Sequence, residues 1–273
     1  MTPEQRYLFD LQGFLHLESA LSDAELSAAQ DALSCLESIP DEELPPGIER
    51  VNNGGGYTNG FSFDPAFEHL AMHPSIWPML KELTANKPRL ASGSLRVNTH
   101  RDTRFLNMHS AREDWGDIET PRYFVKGGRI YCDFVVAFFY LSDVHSGDGG
   151  LVLIPGSHRS EFDKPVSFYE PGPDGSEPPP NPAVTNLSAK AGDVVIMTEL
   201  TTHGALTWKP TDRARSFLIL RYVPQFVGST DENLPFPIPE EVTSRLSPKT
   251  QELIAFQPRN AIKSIVSENG SDH

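Results

Sequence analysis

Residues 130–141 read Ile-Tyr-Cys-Asp-Phe-Val-Val-Ala-Phe-Phe-Tyr-Leu, and Asp133 is the only charged residue among them. An apolar run this rich in β-branched and aromatic residues is typical of a strand that is buried on both faces. We therefore expect 130–141 to form the central strand of a sheet. Asp133, in the middle of this run, is expected to be a buried, hydrogen-bonded acid rather than a metal ligand.

Further strands are predicted on both sides of this run, and helices are predicted mainly before it. The sequence Ser22–Glu25 has the capping-box pattern S-x-x-E, and an apolar helical face follows it. Helices placed first and strands afterwards predict the α+β class, with a double-sheet barrel as the core. The predicted strands besides 130–141 are 90–98, 104–109, 151–154, 193–198 and 215–223; the predicted short helices are 65–72, 75–85 and a tail at 239–256.

The chain has no repeat and no linker long enough to separate two domains, so a single domain is expected. Its helical N-terminal part is predicted over about 1–88, its β core over about 89–225 and its C-terminal tail over 226–273. Residues 165–182 contain seven prolines and cannot form a strand ladder. We predict a surface loop or a lid there.

Composition limits the classes of partner. The 273 residues carry a net charge of −14, which argues against binding to nucleic acid polymers or to anionic membranes. No window of 18 apolar residues is present, the N-terminus lacks the layout of a secretory signal, and the two cysteines match no zinc or redox spacing. The expectation is a soluble, cytoplasmic protein, a monomer or weak dimer, that acts on a small molecule.

Two histidines stand out by their position. His109 ends a predicted strand, and His203 follows the predicted strand 193–198 and precedes a glycine. Both would lie at the mouth of the barrel, where barrels commonly bind ligands, and two imidazoles there supply two arms of a non-haem iron site. The chain has no H-E-x-x-H, Walker or G-x-S-x-G motif, which disfavours zinc hydrolases, nucleotide-binding α/β enzymes and α/β-hydrolases.

Several short motifs occur in an order that resembles one known family. They are Phe9–Phe14 with Leu21–Glu25, the run Asp148–His158 (DGGLVLIPGSH), Ala191–Asp193, Thr202–Gly204 and Arg215-Ser216. Together, over about residues 5–225, they resemble the phytanoyl-CoA dioxygenase family of Fe(II)/2-oxoglutarate oxygenases. Within Asp148–His158, Asp148 and His158 are interpreted as a turn cap and a supporting group rather than as ligands.

The resemblance implies a fold, a cofactor set and site residues. The fold would be a double-stranded β-helix, a jelly-roll or cupin-like core flanked by N-terminal helices. His109 and His203 would bind Fe(II), and Arg215 would pair with the distal carboxylate of 2-oxoglutarate, with Arg213 as the rival; O2 is the second co-substrate. Arg221 on the same strand is expected to serve the structure.

The metal motif departs from the usual pattern of the superfamily, H-x-D or H-x-E, because Ala111 stands where the acid is expected. Three interpretations remain open. Non-haem iron halogenases of this superfamily carry Ala or Gly there and bind chloride in the vacated position, and this interpretation is modestly favoured. In the second, an oxygenase takes its acid from Glu113 or Asp114. In the third, the chain is a non-catalytic, cupin-like binding module.

The segment 96–129 suggests the kind of substrate. It carries seven basic residues in an otherwise acidic protein, although five acids are interleaved with them. A cationic rim of this kind would attract an anionic molecule, and the aromatic side chains in the same segment could stack on a flat, nucleotide-like ring. The residues predicted to contact the substrate are Arg96, Arg112 and Trp115.

Overall fold

The computed structural model describes residues 1–51, 55–102, 106–114, 121–162, 164–165, 176–177, 181–227 and 238–257, without the side chains of Leu106, Glu113 and Asp114. Most of the predicted loop or lid at 165–182 and the predicted substrate residue Trp115 therefore lie outside the described residues.

The helices lie mainly before and after the sheets. Ser22 caps α2 in the predicted capping box: its hydroxyl accepts from the backbone N–H of Glu25, whose carboxylate accepts from the backbone N–H of Ser22. The predicted tail helix 239–256 is instead two short helices: the first ends at Thr243, and Ser247 caps the start of the second. Among the described residues, none of the helices has the length and apolar character to cross a membrane. The helices are α1 (Pro3–Gln12), α2 (Asp23–Ser38), α3 (Pro65–Leu70), α4 (Trp77–Leu83), α5 (Ala111–Asp114), α6 (Glu240–Thr243) and α7 (Pro248–Ile254).

The strands form two main antiparallel sheets and one hairpin. The strands are β1 (Phe14–Leu17), β2 (Gly56–Tyr57), β3 (Pro88–Asn98), β4 (Leu106–His109), β5 (Tyr123–Lys126), β6 (Arg129–Cys132), β7 (Val135–Tyr140), β8 (Gly150–Leu153), β9 (Thr185–Asn186), β10 (Val194–Thr198), β11 (His203–Leu206) and β12 (Arg215–Pro224). The large sheet has the order β1-β10-β7-β12-β3-β2, the small sheet the order β4-β11-β8-β9, and β5 pairs with β6. This mixture of helices and antiparallel sheets confirms the predicted α+β class with a double-sheet core.

The prediction of one continuous strand over 130–141 was wrong, because this run forms two strands, β6 and β7, in different sheets. The chain leaves the hairpin at Asp133, whose carboxylate accepts hydrogen bonds from the backbone N–H of Arg122 at 3.1 Å and from its Nε at 2.7 Å. After this bend the chain enters the large sheet as β7. Asp133 is buried and hydrogen-bonded, as predicted.

The apolar character of β7 follows from its two packed faces. Val135, Ala137 and Phe139 belong to the core between the large sheet and the helices. Phe138 and Tyr140, on the opposite face, belong to a second core between the two sheets. A strand that is covered on both sides has no solvent face on which polar residues could alternate.

Phe139→Ala is expected to lower the free energy of unfolding by about 3–5 kcal/mol, because the side chain is fully buried in the helix-side core and its removal leaves a cavity. Chemical denaturation measures this change. The matched control is Phe162→Ala, at a side chain that is 88% exposed, where a change within about 0.5 kcal/mol is expected. Equal effects of the two substitutions would contradict the described core.

Candidate active site

A cavity of about 370 Å³ lies between the two sheets. Strands β3, β7 and β12 of the large sheet and β4, β8 and β11 of the small sheet contribute to it, so it is located at the inner face of both sheets. Its polar side chains stand among aromatic and aliphatic ones, as in small-molecule sites. The lining residues are Arg96, Asn98, Asp102, His109, Phe138, Tyr140, Leu151, His203, Gly204, Ala205, Leu206, Trp208, Arg215, Phe217, Ile219 and Arg221.

The structure brings the two predicted histidines together in this cavity. His109 and His203 are direct partners in the pairing of β4 with β11, and their ring centroids are 4.5 Å apart. His109 Nδ1 lies 2.9 Å from the carbonyl O of Asn107, and His203 Nδ1 lies 2.7 Å from that of Thr201. Each Nδ1 therefore carries the proton in the neutral ring, which leaves both Nε2 atoms free to bind a metal.

A buried carboxylate lies beside the second histidine. Glu199, in the turn between β10 and β11, has its Oε2 3.3 Å from His203 Nε2, and its Oε1 accepts a hydrogen bond of 2.7 Å from Arg221 Nε. Within the described ranges, no group of three or more His, Cys, Asp and Glu side chains is arranged so that it could hold a metal ion as it stands. The arrangement is a pair of imidazoles with an adjacent, guanidinium-bound carboxylate.

Electrostatics keep this carboxylate charged and the imidazole neutral. Burial opposes ionisation of Glu199, but the nearby Arg221 guanidinium outweighs it and holds the pKa of the carboxyl below its usual value. Burial lowers the pKa of His203, and this effect exceeds the opposing attraction of Glu199. A neutral imidazole is the form that binds metal ions.

Arg215 lines the cavity and has room for an anion. Its Nη2 donates to Asn98 Oδ1 at 2.7 Å, its Nε has no hydrogen-bond partner among the described residues, and its guanidinium lies over the Phe217 ring. Burial lowers the pKa of Arg215, against the opposing effects of Tyr140 and Asp102. A Cβ on Gly150 would lie 2.6 Å from Arg215 Nη1, which explains why glycine stands at this position, where φ is +81°.

The rival, Arg213, is outside the cavity lining. Its Nη2 is 2.5 Å from Asp148 Oδ2, and its guanidinium lies over the outer part of the Trp208 ring system at 5.7 Å from the centroid. Asp148 also accepts from the backbone N–H of His145 at 2.7 Å, in the turn that was predicted for it. The structure thus places the Arg213 charge in an ion pair and the Arg215 charge at the cavity.

Ala111 is buried in a small apolar cluster with Phe134, Leu200 and Val223 rather than in the cavity lining. Its backbone N–H donates to the carbonyl O of Glu199 at 2.8 Å. Glu113 and Asp114, the two acids considered as displaced ligands, lie in α5, and their side chains are outside the described residues.

The residues of the predicted cationic rim lie in different parts of the structure. Arg96 lies in the cavity and has no acidic partner among the described residues. Arg112 is not in the cavity lining, because its guanidinium donates to the carbonyl groups of His158 and Ser160 instead. Asp102, also in the lining, accepts from the backbone N–H of Thr99.

His158, predicted to be a supporting group, is fully buried and lies outside the cavity lining, with its ring 4.6 Å from that of Tyr123 in an edge-on contact. Neither ring nitrogen has a hydrogen-bond partner among the described atoms. Burial, with a smaller contribution from Arg112, lowers the pKa of His158 to about 4.

The free energy of unfolding is expected to fall by about 3 kcal/mol as the pH drops from 6.5 to 4, because the unfolded chain protonates His158 over this range and the folded chain does not. The contribution is complete above pH 6.5, where both states hold a neutral ring. Denaturation at several pH values should show a weaker dependence for His158→Leu. The exposed His145, changed to Leu, should keep the wild-type dependence, and equal slopes for His158→Leu and wild type would contradict the account.

Two residues of the site were not assigned to it from the sequence. Glu199 was not considered, although an acid directly after the apolar strand 193–198 and four residues before His203 was a usable signal. Arg221 was interpreted as structural; it does pair with Glu199, but it also lines the cavity.

Comparison with known proteins identifies the family of the chain. A family model described as phytanoyl-CoA dioxygenase (PhyH) matches residues 61–216. The dioxygenase cdmD of Talaromyces verruculosus is 24% identical over 161 residues, which are 59% of this chain and 44% of that protein, so the chain spans less than half of that relative.

The similar solved structures include two that are described as binding iron or depending on α-ketoglutarate. HygX of Streptomyces hygroscopicus with iron bound is 25% identical, with a TM-score of 0.65 over 83% of this chain and 88% of that one. The non-heme α-ketoglutarate-dependent carbocyclase SnoK from nogalamycin biosynthesis is 20% identical, with a TM-score of 0.58 over 91% and 92% of the two chains. Since the family model covers more than half of the sequence and the fold agrees, this chain belongs to the phytanoyl-CoA dioxygenase (PhyH) family.

Proposed function

We propose that the protein is an Fe(II)- and 2-oxoglutarate-dependent oxygenase that hydroxylates a C–H bond of a small anionic molecule. The observation that carries this proposal is that His109, His203 and Arg215, from three different strands, face one cavity. Solved structures of the similar HygX hold iron, or nickel with 2-oxoglutarate, which supports the same cofactors here.

The residues present fit these cofactors. His109 and His203 would hold the iron through Nε2, since both Nδ1 atoms are bound to backbone carbonyl groups. When bound, the iron supplies activation of O2. Arg215 would pair with a carboxylate of 2-oxoglutarate, because a buried guanidinium with an unpartnered Nε suits a planar anion.

The proposed reaction converts R–H, O2 and 2-oxoglutarate into R–OH, succinate and CO2. One oxygen atom enters the substrate and the other enters succinate, while 2-oxoglutarate is oxidised and loses CO2. We favour hydroxylation because Glu199 places a buried negative charge beside His203, where it would repel a halide.

Chlorination, predicted from Ala111, is the second candidate. It would consume chloride and a proton in addition, and it would give R–Cl, succinate, CO2 and water. The absence of an acid at position 111 favours it, whereas the packing of Ala111 in an apolar cluster outside the cavity lining does not supply a halide site. Mass analysis of the product formed at high chloride concentration distinguishes the two.

The substrate class follows from the charges in the cavity. Arg221 is paired with Glu199, and Arg215 is assigned to 2-oxoglutarate, so the positive charge of Arg96 is left for a further anion. Trp208 and Phe217 give the cavity aromatic walls. A phosphate or carboxylate on a small, partly apolar molecule has this chemistry.

The test is succinate release from 2-oxoglutarate in the presence of Fe(II), O2 and a panel of matched anionic and neutral metabolites. The proposal predicts stoichiometric succinate with an anionic compound and a product heavier by one oxygen atom. Ligand binding without succinate would instead support the cupin-like binding module.

Arg96→Gln is expected to raise the KM for the most active anionic compound about 10-fold or more, since it removes a charge-assisted contact from the cavity. The KM for 2-oxoglutarate should change much less. Steady-state kinetics separates the two constants. Arg129→Gln, at an exposed member of the same basic segment, is the control, and an equal effect there would contradict a substrate role for Arg96.

A further inference from the structure

We propose that Glu199 is the carboxylate ligand of the iron, in place of the acid that the chain lacks at position 111. This inference rests on the proposed function, because it concerns the metal that function requires. It changes the source of the third ligand from the segment after His109 to the turn before His203.

The backbone brings Glu199 next to the position at which the usual motif carries its acid. The N–H of Ala111 donates to the carbonyl O of Glu199 at 2.8 Å, and the N–H of Glu199 donates to the carbonyl O of Phe134 at 3.1 Å. These two bonds fix the Glu199 backbone between the segment after β4 and the start of β7. The Glu199 side chain therefore branches from a backbone position next to Ala111, where the usual motif carries its acid.

The Glu199 carboxylate approaches His203 at Nε2, the ring nitrogen that carries no proton in this tautomer. Because the Nδ1–H of His203 is directed at the carbonyl O of Thr201, its Nε2 presents a lone pair, and Glu199 Oε2 faces that lone pair at 3.3 Å. Two acceptors at this distance need a positive charge between them, which either a proton on Nε2 or a bound metal ion supplies. Two ligand atoms that are each about 2.1 Å from one metal ion, at a right angle, are about 3.0 Å apart, close to the observed separation.

Arg221 binds one oxygen of the Glu199 carboxylate and leaves the other oxygen available to a metal. It binds Oε1 through its Nε at 2.7 Å and leaves Oε2 directed at His203. A guanidinium that orients a ligating carboxylate is a common supporting contact of metal sites. His109, the remaining ligand, is half-buried, and its ring centroid lies 4.5 Å from that of His203.

The consequence concerns the reaction at this metal. With Glu199 bound, three protein ligands would carry one negative charge, as in the two-histidine, one-carboxylate centres of non-haem iron oxygenases. The position that a halide would need beside Ala111 would then face a carboxylate. If Glu199 binds the iron, the absence of an acid at position 111 no longer favours chlorination, and hydroxylation is expected instead.

The experiment measures Fe(II) affinity of the full-length protein under anaerobic conditions, by titration calorimetry. Glu199→Gln keeps the size of the side chain and an oxygen for Arg221, and it should lower Fe(II) affinity by about 100-fold or more, since loss of a supporting residue alone costs 10- to 100-fold. Asp102→Asn removes the carboxylate that does line the cavity and should leave Fe(II) affinity within about threefold of wild type.

The position of a bound metal separates ligation from mere positioning of His203. A crystal structure of the wild-type protein with Ni(II) or Fe(II) gives this position without any substitution. Metal at about 2.0–2.2 Å from Glu199 Oε2 is expected.

The outcomes are distinguishable. Unchanged Fe(II) affinity of Glu199→Gln, or a metal bound in the crystal to both histidines but away from Glu199, overturns this inference and leaves the proposed function intact. A wild-type protein that binds no Fe(II) overturns the proposed function itself.

Discussion

Arg215→Ala is expected to weaken 2-oxoglutarate binding by about 2–5 kcal/mol, which is roughly 30-fold to several-thousand-fold in Kd. The guanidinium is buried at the cavity, with Asn98 as its hydrogen-bond partner and an Nε without any. Removing it would leave one carboxylate of the dianion buried without a counter-charge. Anaerobic titration of the iron-loaded protein with 2-oxoglutarate measures the loss.

Arg213→Ala is the matched control, two residues away on the same segment. Because the Arg213 guanidinium pairs with Asp148 outside the cavity lining, its removal should change the Kd for 2-oxoglutarate only a few-fold. A large loss in Arg213→Ala together with an unchanged Kd in Arg215→Ala would move the co-substrate site to Arg213.

His203→Ala is expected to abolish stoichiometric Fe(II) binding and, with it, succinate formation. The imidazole is buried, its Nδ1 is fixed by the carbonyl O of Thr201, and its residue pairs with His109 at one end of the β4–β11 ladder. No other described nitrogen ligand at this point of the cavity could replace it. Metal analysis after anaerobic desalting gives the bound iron per chain.

His145→Ala controls for binding of iron to surface imidazoles. His145 is exposed in a turn remote from the cavity lining, so this variant should retain one Fe(II) per chain. Circular dichroism of both variants should match that of the wild-type protein. A folded His203→Ala protein that still binds one Fe(II) would place the metal elsewhere.

Much of the fold was predictable because its strands are buried on at least one face, and burial gives them an apolar composition that is visible in the sequence. Strands β3, β10 and β12 lie within a few residues of their predicted positions. The short strands β2 and β9 were not predicted, since two residues give no periodicity. The break at Asp133 was missed for a physical reason: its carboxylate is satisfied by Arg122, a contact made by the fold and not visible in the run itself.

The candidate site shows the same division. His109 and His203 were identifiable because their positions near strand ends coincided with the motifs of the family that the sequence resembles, and the structure pairs them directly. Glu199 was missed because its role depends on a contact across the chain, from its carbonyl group to Ala111. The H-x-A motif indicated an open metal position because only the segment after His109 was considered as the source of the acid.

Anaerobic addition of Fe(II) and then 2-oxoglutarate to the wild-type protein, followed by visible absorption, tests the central claim most directly. The account predicts a weak charge-transfer band of the chelated keto acid that saturates at one Fe(II) and one 2-oxoglutarate per chain and is absent in His203→Ala. A correctly folded wild-type protein that gives no band and retains no iron would contradict it.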